Sequence, residues 1–289
     1  MEEKEETIKL IERAAEAVRN AGALLICAGA GIGVDSGLPD FRGNEGFWKA
    51  YPPFARLGLS FIDMANPGWF VRDPELAWGF YGHRLNLYRN TLPHKGFDLM
   101  LKWGRTKPGS YFVFTSNVDG QFQKSGFYDD QVVECHGSIH HFQCVDPDCS
   151  SAIWPAERVA VTVDETTMKA KKPLPTCPAC HSTARPNILM FGDWNWLGDR
   201  TEDQHQRFDQ WLHQNNNTTI TVIECGAGTG IPTVRMTSEN IASRFNASLI
   251  RINTREPQVP PGQISIPMGA LEALENIDFH LSNTRKAKG

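Results

Sequence analysis

The sequence predicts an α/β protein built on a doubly wound, Rossmann-like parallel sheet into which smaller modules are inserted. Three observations lead to this fold class: short runs that are wholly apolar, amphipathic stretches between them, and two long segments that follow neither pattern. Strands buried on both faces of a parallel sheet have continuous apolar sequences, and helices between them cover the faces. With 289 residues, 40% of them hydrophobic, the chain can form one large domain and a small satellite.

Five apolar runs are predicted to be strands of this sheet. They cover residues 23–28, 111–115, 131–135, 219–225 and 248–253. Apolar residues at helical spacing predict helices over residues 5–20, 75–89, 203–214 and 237–246. Buried strands that alternate with helices in this way are typical of a doubly wound sheet.

Two segments interrupt this alternation. Residues 44–90 are rich in aromatic residues and proline, and residues 141–184 contain four cysteines with little periodicity. We interpret both as insertions, one a helical module and the other a cysteine-bearing module. The sheet domain then consists of residues 1–43, 91–140 and 185–289.

Composition and charge exclude several classes of function. The formal net charge of -4 offers no general attraction for nucleic acid, because neutralising phosphates requires an excess of Lys and Arg. No run approaches the roughly 18 to 20 apolar residues that a membrane span needs, and the charged N-terminus does not resemble a signal peptide. We therefore expect a cytoplasmic protein whose seven cysteines are reduced, and either buried or bound to a metal.

Four of the cysteines have the spacing of a metal site. They form a C-x4-C pair and a C-x2-C pair separated by 27 residues: Cys144, Cys149, Cys177 and Cys180. Four thiolates from two such pairs suit tetrahedral zinc in a closed structural site. The alternative is four unrelated buried cysteines.

A glycine-rich turn, Gly29-Ala30-Gly31-Ile32-Gly33, follows the first predicted strand. Glycines at this place let the backbone turn tightly and approach a pyrophosphate. The dehydrogenase pattern G-x-G-x-x-G does not fit, because its sixth position falls on Val34 or Ser36. Hydride transfer is therefore disfavoured.

Polar side chains follow the second and third predicted strands. Asn117 and Asp119 come after residues 111–115, and His136 comes after residues 131–135. Since the carboxyl ends of parallel strands line the ligand crevice, these groups are candidates for acid–base chemistry and amide recognition. A structural histidine is the alternative for His136, and the neighbouring His140 and His141 compete with it for the catalytic role.

These segments resemble the motifs of the sirtuin family. Residues 29–43 resemble the family's G-A-G-I-S-x-x-S-G-I-P-D-F-R-G, and residues 115–120 and 134–138 resemble T-Q-N-I-D-G and E-x-H-G-S. The segment G-N-E-G-F-W at 43–48 is similar to the flexible cofactor loop, and the cysteines are placed as in the family's zinc ribbon. The resemblance spans residues 20–275. It implies an NAD-binding sheet domain, a structural zinc ion and NAD-dependent removal of acyl groups from protein lysines.

The resemblance also implies roles for individual residues. His136 would be the general base that takes a proton from the nicotinamide ribose, Asn117 would orient that ribose and its attacking water, and Asp119 would bind the nicotinamide amide. The cofactor-binding residues it implies are Gly29, Ala30, Gly31, Asp40, Phe41, Arg42, Ser116, Asn117, Asp119, Gly226, Gly228, Thr229 and Asn253.

Two further segments bear on the acylated substrate. Residues 185–193, R-P-N-I-L-M-F-G-D, resemble the family segment R-P-x-V-V-x-F-G-E, which pairs with the substrate backbone as an added strand. The implied substrate-binding residues in it are Ile188, Met190, Phe191 and Gly192. Tyr81 and Arg84 lie one helical turn apart and resemble the Tyr-x-x-Arg of sirtuins that prefer succinyl-, malonyl- or glutaryl-lysine. Packing of the small module is the alternative reading of that pair.

Departures from the family pattern leave other functions open. Ser116 stands where the family usually has Gln, and Ala227 and Gly228 replace a Thr and a Ser, although Thr229 offers a hydroxyl one position later. These changes favour NAD hydrolysis or ADP-ribosyl transfer as an alternative to deacylation. A module that senses NAD without turnover is a second alternative, which the presence of Asn117, Asp119 and His136 disfavours.

Overall fold

A computed structural model of the protein describes residues 2–40 and 43–286. Within those residues the α-helices are α1 (Glu2–Asn20), α2 (Gly43–Ala50), α3 (Pro52–Arg56), α4 (Phe61–Met64), α5 (Trp69–Arg72), α6 (Pro74–Asn90), α7 (Lys95–Arg105), α8 (Gln121–Lys124), α9 (Asp199–Gln214), α10 (Thr233–Arg244) and α11 (Ala270–Lys286), and short 3-10 helices cover Ala30–Ser36 and Asp129–Gln131. The strands are β1 (Ala23–Ala28), β2 (Tyr111–Thr115), β3 (Val132–Glu134), β4 (Gly137–Cys144), β5 (Trp154–Pro155), β6 (Val163–Asp164), β7 (Lys169–Ala170), β8 (Ala184–Ile188), β9 (Ile220–Cys225), β10 (Ser248–Ile252) and β11 (Ile264–Ile266).

The main sheet has the strand order β11-β10-β9-β1-β2-β3, and all its pairings are parallel. Strand order therefore reverses at β1, with β2 and β3 on one side and β9 to β11 on the other. This is the doubly wound arrangement that the sequence predicts, so the predicted fold class is confirmed. The crevice at such a reversal lies outside the carboxyl ends of the strands, and it is the usual ligand site of this architecture.

Helices cover both faces of the sheet, as the alternation of side chains along β1 shows. Leu24 and Ile26 pack in a cluster with residues of α1, α7 and α11. Leu25 and Cys27 point the other way and pack in a cluster with residues of α9 and α10. A strand enclosed on both sides has no polar face, which explains the continuous apolar run in its sequence.

The smaller part of the molecule consists of α2 to α6, the sheet β5-β4-β8 and the hairpin β6–β7. Its core is a third hydrophobic cluster, in which the buried Trp78 donates its indole N–H to the Ala184 carbonyl at 2.9 Å. Because β8 pairs with β4, Ile188 and Met190 pack in this cluster and not against the main sheet. The sequence assigned them to the sheet domain, and the exact division of the chain stays a prediction.

None of the helices in the described part of the chain combines the length and the hydropathy that crossing a bilayer requires.

Candidate active site

Two glycine-bearing loops meet at the carboxyl ends of β1 and β9. Gly29 N–H donates to the Cys225 carbonyl and Gly31 N–H to the Gly226 carbonyl, both at 3.0 Å. A Cβ built on Gly31 would lie 2.7 Å from the Gly226 Cα, and Gly226 has a φ of 64°. A side chain at these positions would force the loops apart. The sequence predicted Gly29, Gly31 and Gly226 at the cofactor site, and the structure brings them into contact, with Ala30 exposed at the tip of the turn.

A cavity of about 110 Å³ opens beside these loops, between the ends of β1, β9 and β10 and the beginning of α11. Its lining includes Gly31, Asp40 and Asn253, all predicted from the sequence, and also Arg255, which was not. Arg255 and Asp40 form an ion pair at 3.4 Å. The cavity is on the side of the site where the sequence places the adenosine half of NAD.

Asn253 lines this cavity, whereas Gly228 and Thr229, which the sequence predicts on the same side, are not among its lining residues. The Asn253 side chain donates to the Ala227 carbonyl at 2.8 Å and accepts the N–H groups of Arg255 and Glu256 at 3.0 Å, so it holds the rim in shape. Gly228 is half-buried, and Thr229 is exposed and donates to the Glu256 carboxylate. Phe41 and Arg42 lie outside the described residues.

Asn117 joins the end of β2 to the glycine turn. Its buried side-chain amide donates to the Gly29 carbonyl at 3.1 Å, and its own N–H donates to the Thr115 hydroxyl at 3.0 Å. That hydroxyl donates in turn to the Ala28 carbonyl at 2.9 Å. The register that pairs Ala28 with Thr115 produces this arrangement, because it puts the ends of both strands at the same level.

Asp119 lies in a short loop between β2 and α8 and is 9% exposed. Its Oδ1 accepts the Gln121 N–H at 2.9 Å. Burial, with a smaller contribution from the nearby Glu134, raises the pKa of this carboxyl to about 6, although the Gln121 N–H and Arg84 oppose the shift. The group is therefore mainly ionised at neutral pH and gains protons in mildly acidic solution.

His136 follows β3 and is half-buried at the same sheet edge. Burial lowers the pKa of its imidazole, and a hydrogen bond from the ring to the Ser116 backbone partly opposes that shift. The His136 carbonyl accepts the Leu189 N–H at 3.0 Å. The residue thus contacts both the loop that carries Asn117 and the segment predicted to bind substrate. A neutral imidazole can accept a proton, as a general base must.

The predicted substrate segment, residues 188–192, is fixed at both ends. Arg185 and Asp193 form a buried bidentate ion pair, with N–O distances of 2.6 and 2.8 Å. Phe191 N–H donates to the Ala65 carbonyl, just past α4, at 2.9 Å. The side chains of Ile188 and Met190 point into the core. The backbone of the segment is partly bonded within the protein as well, since Ile188 pairs with Gly137 of β4.

Tyr81 and Arg84 are both buried inside the small module and not on a helix surface. The Arg84 guanidinium donates through Nε and Nη2 to the Tyr88 hydroxyl, at 3.1 and 2.9 Å. It also lies 5.9 Å from the centre of the Phe61 ring, whose centre is 6.4 Å from that of Phe191. The Phe61 ring is thus a neighbour of both the guanidinium and the substrate segment. The Tyr81 hydroxyl is buried without a hydrogen-bond partner in the described residues.

The four predicted metal ligands, Cys144, Cys149, Cys177 and Cys180, come together at one point. Their sulfur atoms all lie within 4.8 Å of one another. The Cys144–Cys180 and Cys149–Cys177 sulfur distances are 3.5 and 3.7 Å. Four thiolates bound tetrahedrally at about 2.3 Å from zinc lie about 3.8 Å apart, so the set fits a structural zinc ion with no open position.

Comparison with known proteins agrees with this site. The model of the Sir2 family matches residues 29–220. A protein of Thermus thermophilus named NAD-dependent protein deacylase is 28% identical over 270 residues, which cover 91% of this chain and 92% of that protein. One of the same name from Thermococcus kodakarensis is 33% identical over 187 residues, covering 64% and 65%. Among solved structures, a mutant Sir2 homologue in complex with ADP-ribose aligns with a TM-score of 0.69 at 24% identity, covering 95% of this chain and 97% of that one. The family match takes in the glycine turn, Asn117, Asp119, His136 and all four cysteines, and this chain therefore belongs to the Sir2 family.

Proposed function

We propose that this protein is an enzyme that removes acyl groups from protein lysines with NAD as co-substrate, releasing nicotinamide and O-acyl-ADP-ribose. One observation carries the proposal. His136 contacts the backbone of Ser116, next to Asn117, and Asn117 donates to the Gly29 carbonyl of the glycine turn. A general base, a side-chain amide and the glycine turn, whose backbone can approach a phosphate, therefore lie together at the place where this fold binds nucleotides. The curated relatives named NAD-dependent protein deacylase support the same activity.

The residues present fit the dinucleotide. We assign the adenosine half to the cavity beside Gly226 and Asn253, and the pyrophosphate to the glycine turn, where Gly29 and Gly31 let the turn pack directly against the backbone of the Gly226 loop. We assign the nicotinamide ribose to the edge between Asn117 and His136. When bound there, NAD supplies an electrophilic sugar carbon as nicotinamide departs.

Three side chains would then perform the chemistry. Neutral His136 takes a proton from a ribose hydroxyl, which helps the sugar react with the acyl oxygen of the substrate. Asn117 orients the ribose from its fixed position on the glycine turn. Asp119 accepts from the nicotinamide amide through its carboxylate. Because the substrate segment bonds to the His136 carbonyl, the acyl group and the base are held together, and proximity contributes most of the rate enhancement.

We further propose that Tyr81 and Arg84 recognise the carboxylate of an acidic acyl group such as succinyl. A guanidinium beside a phenol can bind a carboxylate through several hydrogen bonds. The closeness of Arg84 to Phe61, whose ring in turn neighbours Phe191, supports this assignment, as does the unpartnered hydroxyl of Tyr81. With acetyl-lysine as substrate, the two residues would only support the aromatic core of the module.

Hydrolysis of NAD or ADP-ribosyl transfer is the second candidate. Ser116 precedes Asn117 and its backbone contacts the His136 ring, and its side chain is smaller than the glutamine usual in the family. A wider space there would let water or another acceptor reach the sugar. Binding of NAD without turnover is less well supported, since such a function has no need for a base at His136.

Mass spectrometry of the products formed from NAD with acetylated and succinylated peptides separates these functions. O-acyl-ADP-ribose and a deacylated peptide are expected. Free ADP-ribose with an unchanged peptide would indicate hydrolysis instead, and a heavier peptide would indicate ADP-ribosyl transfer. We propose acylated proteins as the partners, and the cytoplasmic location stays a prediction.

A further inference from the structure

We propose that His140 is a positioning residue for the nicotinamide end of the site, because its imidazole holds the backbone of the loop that carries Asp119. The inference rests on the proposed function, in which Asp119 binds the nicotinamide amide. It concerns a side chain that the sequence motifs of this site do not include.

An irregularity in β4 directs this side chain toward the loop. Ser138 pairs with Asn187 and Phe142 pairs with Pro186, which are adjacent residues of β8. Residues 139–141 therefore have no partners on β8 and bulge out of the strand. Bulges of this kind change the direction in which a side chain points, and they occur next to active sites.

The bulge holds two consecutive carbonyl groups of the Asp119 loop. Ile139 N–H donates to the Val118 carbonyl, and the His140 Nε2–H donates to the Asp119 carbonyl, both at 3.0 Å. Burial lowers the pKa of His140, so the ring is neutral in neutral solution and carries its single proton on Nε2. The backbone of the bulge is also held by a neighbouring segment, because the Ala156 N–H donates to the His140 carbonyl at 2.8 Å.

The imidazole also packs directly against the next residue of the loop. Gly120 has a φ of 70°, and a Cβ built on it would lie 2.7 Å from the Cδ2 atom of the His140 ring. The glycine thus meets two requirements, a left-handed backbone and room for the ring. Together, the hydrogen bond to the Asp119 carbonyl and the contact with Gly120 hold the loop in one conformation.

That conformation determines where the Asp119 carboxylate points. The Gln121 N–H holds its Oδ1 and His140 holds its backbone, so the second carboxylate oxygen has a fixed direction. A buried carboxylate with a fixed direction can bind an amide without first losing conformational freedom, so less binding free energy is lost to ordering the site. Loss of His140 frees the backbone on one side, and recognition of nicotinamide should weaken.

Four variants test this role. His140→Ala removes both the hydrogen bond and the packing, whereas His140→Phe keeps a ring over Gly120 but cannot donate. Both should raise the inhibition constant for nicotinamide and the KM for NAD by about two- to tenfold, with the KM for acyl-peptide unchanged. His140→Gln retains an N–H donor and should recover part of the loss. His141→Ala, on the same bulge, is the matched control and should leave both constants at wild-type values.

Direct binding of nicotinamide, measured by calorimetry, keeps this inference separate from the proposed function. If wild-type protein forms only free ADP-ribose, deacylation is wrong, while a weaker nicotinamide affinity in His140→Phe still supports positioning. The positioning role is wrong if His140→Phe binds nicotinamide as wild type does. It is also wrong if the peptide KM rises as much as the NAD KM, or if His141→Ala gives the same losses.

Discussion

The side-chain amide of Asn117 donates to the main-chain carbonyl of Gly29 at 3.1 Å, and this bond joins the second strand's end to the turn after the first. A residue assigned to the ribose and a turn assigned to the pyrophosphate are therefore parts of one rigid unit. His136 attaches to the same unit through the Ser116 backbone. Displacement of any of the three would disturb the other two, which makes their substitutions informative.

His136→Ala should abolish NAD-dependent deacylation while the protein stays folded. A positioned general base contributes about 10²- to 10⁴-fold to a rate, and the substitution removes the base without touching the cysteine cluster. Turnover of an acyl-peptide, measured with the zinc content and the thermal midpoint of each variant, checks this. Full activity in the variant would rule out His136 as the base.

Arg84→Met should reduce turnover of succinyl-lysine about ten- to a hundredfold more than turnover of acetyl-lysine, because only the former has a carboxylate to bind. Methionine retains much of the packing within the aromatic cluster. The ratio of kcat/KM values for the two peptides is the measurement. Arg89→Met, on the same helix and bonded to the Ala156 and Val159 carbonyls, is the matched control. Equal losses on both peptides would contradict acidic-acyl recognition.

Tyr81→Phe should lower kcat/KM for succinyl-lysine without lowering the free energy of unfolding. The Tyr81 hydroxyl has no hydrogen-bond partner in the described residues, so its removal leaves no group of the free protein unsatisfied. Urea denaturation and peptide kinetics on the same preparation provide both numbers. A destabilised variant with unchanged succinyl kinetics would show that the hydroxyl serves the fold.

Asp119→Asn should stabilise the protein at neutral pH and weaken its recognition of nicotinamide. The carboxyl pKa is raised from 3.8 to about 6, so the folded state binds more protons than the unfolded state between these values. Its contribution is therefore most favourable below pH 4, falls as pH rises to 6, and is lost above that. Asparagine avoids a penalty on the order of 3 kcal/mol at pH 7.5 and almost none at pH 4. Urea denaturation of both proteins at the two pH values measures the difference, and an equal change at both would refute this account.

Removal of zinc should unfold the module around the four cysteines. Cys177→Ser is expected to lose the metal and to lower the thermal midpoint, since binding of a structural zinc ion contributes directly to folding. Native mass spectrometry of the chain reports the metal content. Cys135→Ser is the control, because Cys135 is half-buried and outside the cluster. Retention of zinc by Cys177→Ser would exclude the four-sulfur site.

The sequence predicted most of the main sheet because its strands are long enough and apolar enough to be recognised. β1 and β2 have the predicted bounds, whereas β11 is only three residues long and follows a proline-rich loop, so no periodicity marks it. Helices α7 and α11 were also not predicted. The largely apolar sequences of β9 and β10 also contain a buried ion pair. Glu224 and Arg251 are paired across the two strands, with 2.5 Å between the glutamate Oε1 and the arginine Nε. Their pairing depends on strand register, which the sequence alone does not give.

The same limit applies to the site. Short motifs predicted Asn117, Asp119 and His136 as site residues, since each motif directly follows a strand. The contacts of His140 and Arg255 depend on a bulge and on a loop from a distant part of the chain. The only signal for His140 was that it competed with His136 for the catalytic role. No local pattern marked Arg255.

Gly29 and Gly226 come from opposite halves of the doubly wound sheet, and a Cβ on Gly29 would lie 2.8 Å from the Gly226 carbonyl oxygen. Main-chain atoms from both halves therefore form the wall against which the phosphates are expected to rest. A single substitution changes a side chain but leaves the peptide groups of this wall in place. We therefore expect substitutions here to have little effect on which nucleotide the site prefers. A change in dinucleotide specificity would have to begin at the rim of the cavity, where the side chains of Asp40 and Arg255 can be substituted.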